Sequence, residues 1–129
     1  MRAVVVGAGA WGTAVAYLLR ERGHDVFVAR RDTLDDAPYA EADLVVLAVP
    51  SHAFRDVLSH VSGDAPVLSL AKGLDPSTGE RLSTRVQGRP VAVLSGPNMA
   101  EEIADGLPSA TVIASEDHAL AEQLQEAIN

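Results

Sequence analysis

Val4-Val5-Val6-Gly7-Ala8-Gly9-Ala10-Trp11-Gly12-Thr13-Ala14 is an apolar run of strand length, then three glycines spaced G-x-G-x-x-G, then the start of a pattern with helical period. Glycine at position 7 lets the chain turn sharply out of a buried strand. Glycine at 9 lets backbone approach a pyrophosphate with no Cβ between, and glycine at 12 lets the next helix press on the sheet. The pyrophosphate of a dinucleotide would then meet free N–H groups at a helix start, where the helix dipole favours negative charge. Such a glycine triplet alone reads equally as a small-residue turn without a ligand. The strand before it and the helix after it are the context that the dinucleotide reading requires.

Outward from that turn, the first strand covers Arg2 to Val6 and the first helix Ala10 to Arg22, with Val15, Leu18 and Leu19 on one face and Gly23 ending it. Val26 to Ala29 is a second strand, and a helix between two apolar strands implies a parallel pair. Thr33 to Asp43 is polar and acidic, interrupted by Pro38, with room for at most a short helix. Leu44 to Val49 reads as a buried strand ended by Pro50, and Ser51 caps a helix to about Val61 with Phe54, Val57, Leu58 and Val61 inward. Val67 to Leu70 is the fourth strand, a short helix is expected from Glu80 to Val86, and Val91 to Leu94 is the fifth strand. Asn98 with Glu101 has the form of a capping box opening a helix to about Asp105. Ala110 to Ala114 is the sixth strand, and Asp117 to Ile128 a helix whose Leu120, Leu124 and Ile128 are expected to face an element further along. Alternating short strands and helices imply an α/β doubly wound, mostly parallel sheet of about six strands, with ligand at the carboxyl ends of the strands. The glycine turn, Arg30-Arg31, Pro50-Ser51, Lys72-Gly73 and Gly96-Pro97-Asn98 all follow such ends and would line one rim.

With 129 residues the chain is expected to form one domain, residues 1–129. Its net charge of −8 argues against a nucleic-acid surface. It has no cysteine, no signal-peptide pattern and no apolar run of membrane-spanning length, so a cytoplasmic location and no membrane partner are expected. The acidic pairs Asp35-Asp36 and Glu101-Glu102 lack histidine or cysteine at ligand spacing, and no metal site is expected. Of the ten basic residues only Lys72 is a lysine. His24, His60 and His118 read as surface residues, His52 as a neighbour of the rim and Phe54 as core.

The end of the second strand bears on which dinucleotide binds. An acidic residue there takes the ribose 2′-hydroxyl of NAD, whereas arginine suits the 2′-phosphate of NADP. Arginines 30 and 31 hold that place, which puts NADP ahead of NAD. Asp32 is the competing acid, and two solvated arginines after a strand are the bland alternative.

Gly7 to Ala14, Val49-Pro50-Ser51, Lys72-Gly73-Leu74 and the run from Leu94 to Pro108 together resemble the bacterial NAD(P)-dependent glycerol-3-phosphate dehydrogenases. The resemblance implies a Rossmann-like domain in which Gly7, Gly9, Ala10, Trp11, Gly12, Arg30, Arg31, Pro50, Lys72 and Ala100 serve the cofactor. Lys72 with Gly96 and Asn98 would hold dihydroxyacetone phosphate or sn-glycerol 3-phosphate. It further implies hydride transfer between NAD(P)H and dihydroxyacetone phosphate, serving glycerophospholipid synthesis, with a lysine ammonium as general acid at the carbonyl oxygen. That lysine belongs to a helical second domain and is expected beyond Asn129, so the catalytic helical domain is absent here and no catalytic residue is expected within this chain. A homodimer is expected of the full-length enzyme.

Asn98 stands where the family usually has Ser or Thr, Met99 where Phe is usual, and the Thr33 to Asp43 segment is shorter than in typical members. Two other readings stay open: a stand-alone nucleotide-binding or regulatory module, and an NADP-dependent hydroxyacid or ketopantoate reductase.

Overall fold

The computed structural model describes residues 1–95 and 111–128. Six strands form one sheet: β1 (Arg2–Val6), β2 (Asp25–Ala29), β3 (Leu44–Leu47), β4 (Val67–Ser69), β5 (Val91–Ser95) and β6 (Val112–Ser115). Their spatial order is β2, β1, β3, β4, β5, β6, parallel throughout except for the antiparallel pairing of β5 with β6. Among the described residues three helices accompany them: α1 (Ala10–Glu21), α2 (Phe54–His60) and α3 (His118–Ile128).

The strand periodicity of two divides the core in two. On one face Ala3, Val5, Leu44, Val46, Leu68, Ala92 and Leu94 pack with Val15, Ala16 and Leu19 of α1 and with Leu120, Leu124 and Ile128 of α3. On the other face Val4, Val6, Val45, Leu47 and Val67 pack against Phe54 of α2 and against Ala37, Tyr39, Leu82 and Val86. Covering both faces explains why all four residues of β3 are buried and why its sequence is continuously apolar. From β1 the chain moves one way to β2 and then back past β1 to β3. Crossovers of one hand running in opposite directions fall on opposite faces, so α1 covers the first face and residues 33–43 the second. In doubly wound sheets such a reversal is where ligands bind, which here points to the carboxyl ends of β1 and β3.

Two expectations are corrected. Leu120, Leu124 and Ile128 do not await a further element; they are 5%, 2% and 7% exposed and complete the first face of the core. The helix expected from Glu80 to Val86 is a 3-10 turn over Leu82–Arg85. The segment from Thr33 to Asp43 holds the 3-10 turn Tyr39–Glu41, and a second such turn, Arg31–Thr33, leads into it. A third expectation is corrected as well: Ser51 does not cap the helix but is the first residue of a 3-10 turn, Ser51–Ala53, and Ala53 is the N-cap of α2 without a side-chain hydrogen bond. The Asn98–Glu101 capping box lies outside the described residues. Asp117 caps α3, its Oδ1 accepting the Leu120 N–H at 3.1 Å.

Candidate functional site

Gly7 follows β1 with φ +112°, where side chains are strained. Its N–H donates to the Ala29 carbonyl at the end of β2 at 3.0 Å, and a Cβ would overlap the Ala48 carbonyl oxygen after β3. The turn is thus wedged between the ends of its two neighbouring strands. At Gly12 a Cβ would overlap the Gly7 carbonyl oxygen, so the first turn of α1 rests directly on the glycine turn.

Gly9 differs from both. Its φ of −76° suits any residue, and among the described residues a Cβ there would meet nothing within 4 Å. The described fold does not require glycine at this position, and the backbone there is open to an approach from outside. Gly9 is also the N-cap of α1, and no side chain among the described residues caps the helix. The ladder starts with Thr13 N–H donating to the Gly9 carbonyl at 3.0 Å, and the Thr13 hydroxyl turns away to the Ala8 carbonyl at 3.3 Å. The N–H groups of Ala10, Trp11 and Gly12 therefore precede the ladder and lie at the positive end of a twelve-residue helix. Open space over Gly9, uncapped N–H groups and the dipole make a cradle that fits a pyrophosphate.

The other predicted residues are distributed along this rim in the order of the strands. Arg30 and Arg31 follow β2 and are exposed. The Arg30 N–H donates to Thr33 Oγ1 at 2.9 Å and the Thr33 N–H to the Arg30 carbonyl at 3.0 Å, so the turn closes without using either guanidinium. Neither is paired with a carboxylate among the described residues. Asp32, the competing acid, is exposed in the same turn. Pro50 and His52 are exposed just past β3, whereas Phe54 is fully buried in the second core. Lys72 follows β4, and its Nζ stands 5.4 Å from the centroid of the half-buried Trp11 ring. The structure therefore brings Gly7, Gly9, Ala10, Trp11, Gly12, Arg30, Arg31, Pro50 and Lys72 to one edge of the sheet. Gly96, Asn98 and Ala100 lie outside the described residues.

One group escaped the reading from sequence. Asp75, three residues past Lys72, is 1% exposed, with Arg55 and Arg85 beside its carboxylate. The Ser77 N–H first, then the Ser77 side chain and the two guanidiniums, hold its carboxyl below the usual aspartate range against the opposing effect of burial. An aspartate before Pro76-Ser77-Thr78-Gly79 carries the signature of a turn acceptor, which was the available signal.

Residues 2–38 and 33–121 match the family described as NAD-dependent glycerol-3-phosphate dehydrogenase N-terminus. The chain belongs to that family. Among curated members it is 38% identical to glycerol-3-phosphate dehydrogenase [NAD(P)+] of Corynebacterium kroppenstedtii over 162 aligned positions, covering 95% of this chain and 49% of that protein. With the Synechococcus elongatus enzyme of the same name it shares 42% over 136 positions, covering 97% and 44%. A crystal structure of glycerol-3-phosphate dehydrogenase from Coxiella burnetii superposes with TM-score 0.85 at 25% identity, covering 99% of this chain and 50% of that one. The chain spans about half the length of the curated dehydrogenases it matches. The family match breaks into two pieces that meet in the β2–β3 crossover, which is where the short Thr33 to Asp43 segment falls. Among the described residues no helix is long and apolar enough to cross a membrane.

Proposed function

We propose that this chain is the dinucleotide-binding part of an oxidoreductase that moves a hydride between NAD(P)H and dihydroxyacetone phosphate, giving sn-glycerol 3-phosphate. The observation that carries the reading is the open, uncapped cradle at Gly9, with Arg30 and Arg31 on one side of it along the rim and Lys72 against Trp11 on the other.

In this reading the backbone N–H groups of Ala10, Trp11 and Gly12 receive the pyrophosphate, and Gly9 admits it. Arg30 and Arg31 take the 2′-phosphate, which favours NADP over NAD. When bound, the nicotinamide supplies the hydride. Lys72 sets a positive charge where the substrate phosphate or a developing alkoxide would lie, with Gly96 and Asn98 on the substrate side. No residue named here is assigned the general-acid step at the carbonyl oxygen.

Trp11 fluorescence offers the test, since it is the only tryptophan and stands in the cradle. Titration with NADPH and with NADH at matched salt should give saturable changes, tighter for NADPH. No change with either would remove the reading.

A further inference from the structure

Three residues past Lys72, Asp75 forms a charge cluster that the cofactor reading does not use. The Asp75 carboxylate sits 3.8 Å from Nε of Arg55 on α2 and 3.8 Å from Nε of Arg85 in the 3-10 turn Leu82–Arg85. Its Oδ1 accepts the Ser77 N–H at 2.9 Å, its carbonyl accepts the Gly79 N–H at 2.8 Å, and its own N–H donates to the Glu80 carbonyl at 2.8 Å. The backbone of residue 75 and its Oδ1 are thus hydrogen-bonded within the turn, while Oδ2 has no hydrogen bond among the described residues and faces the two guanidiniums as ion pairs, the one to Arg55 reaching from the segment after β4 to the helix after β3. Between Asp75 and Lys72 stand only Gly73, with φ +89°, and Leu74, 53% exposed, so packing at those two residues does little to place the lysine.

A buried carboxylate between guanidiniums is weak evidence for stability, because desolvation offsets the attraction; fixing one arrangement among several is its better attested use. We propose that Asp75 is a positioning residue, which through Arg55 and Arg85 anchors the loop that sets the Lys72 ammonium against Trp11 at the mouth of the cleft. The proposal rests on the reading of Lys72 as a cofactor and substrate residue. The competing role is purely local: Asp75 closes its turn through the Ser77 and Gly79 N–H groups, and its charge is irrelevant.

Asp75→Asn separates the two, since asparagine keeps the Oδ1 acceptor and the volume but removes the charge. Lys72 and Trp11 are the only residues of their types, so each gives a single reporter. Reductive methylation with 13C-formaldehyde keeps the lysine charge and labels Lys72 and the terminal amine, and the resonance lost in Lys72→Arg assigns the lysine. In the 129-residue chain, Asp75→Asn should move the dimethyl-Lys72 NMR resonance toward that of an unstructured lysine and shift Trp11 emission. It should also weaken NADPH binding by about two- to fivefold, the size of one exposed cation–π contact. Arg55→Leu should act in the same direction with a smaller amplitude. Because the Arg55 side chain is 54% exposed, that variant decides the matter if Asp75→Asn does not fold. Lys72 and Trp11 signals that stay at wild-type positions in the folded variants would overturn the proposal. Failure of the cofactor reading has a different signature: the signals move in the variants, while neither NADPH nor NADH perturbs Trp11 in the wild-type chain.

Discussion

The Nζ of Lys72 stands 5.4 Å from the centroid of the Trp11 ring, so the only lysine and the only tryptophan of the chain meet across the end of the sheet. One comes from the loop after β4 and the other from the first turn of α1. A cation over indole at an exposed site contributes about 0.5–1 kcal/mol, enough to bias a loop but not to hold it alone. Its consequence is electrostatic, because the ammonium and the positive end of α1 are brought together and form a mouth suited to an anion. Lys72→Met should alter Trp11 emission in the free protein and weaken NADPH binding by at least about twofold. Emission identical to wild type would show that the contact does not exist in solution.

The three glycines of the turn should respond differently to alanine. At Gly7 the left-handed backbone and the Ala48 carbonyl both oppose a side chain, and at Gly12 the Gly7 carbonyl does. Each of these variants should lose at least about 2 kcal/mol of stability, seen as a lower midpoint in urea unfolding. Gly9→Ala meets nothing and should cost no more than about 1 kcal/mol, the usual penalty for alanine at an N-cap, while removing NADPH binding. Binding that survives in Gly9→Ala would mean that the pyrophosphate does not approach there.

Much of this geometry was legible because local chemistry admits few alternatives. Four consecutive buried residues in β3 need a sheet covered on both sides, and their unbroken apolar run announces it. The left-handed backbone of Gly7 and the close contact at Gly12 follow from the spacing of the motif. Direction and partnership are harder to read. Val112 to Ser115 alternates in exposure as either a parallel or an antiparallel edge strand would, so its reversal against β5 leaves no mark in the residues. Helical spacing put Leu120, Leu124 and Ile128 on one face but was silent on what that face meets, and the answer was the chain's own sheet. Asp75 drew no notice in the sequence because its partners, Arg55 and Arg85, come from two other elements.

Arg30 and Arg31 carry the distinction between the two dinucleotides. Both are exposed, and the backbone and Thr33 close their turn, so alanine at either position should change stability by less than about 0.5 kcal/mol. A charge-assisted bond to a 2′-phosphate contributes about 1.5–3 kcal/mol, which corresponds to a roughly ten- to hundredfold loss of NADPH affinity. NADH lacks that phosphate and should lose little. Equal losses for both cofactors in Arg30→Ala and Arg31→Ala would return the preference to the open question posed by Asp32.

The short β2–β3 crossover carries a pH dependence of its own. His60 Nδ1 lies 2.7 Å from Asp35 Oδ1, linking the crossover to the last residue of α2, where a positive charge also suits the helix dipole. The hydrogen bond to Asp35, aided by the charges of Asp35 and Asp56, raises the imidazole above the ordinary histidine range. A histidine raised on folding contributes stability that is fully present below its unfolded value, about 6.5, and is lost as pH rises through the raised folded value. The melting temperature of the wild type should therefore exceed that of His60→Gln most near pH 5.5, and the difference should vanish in the alkaline range. The side chains are 37% and 75% exposed, so the effect should be small and should shrink in about 1 M salt, where the screening length is near 3 Å. Calorimetric melts across this range check it. A gap between the two proteins that is constant or widens with rising pH would show that the pair is not the source.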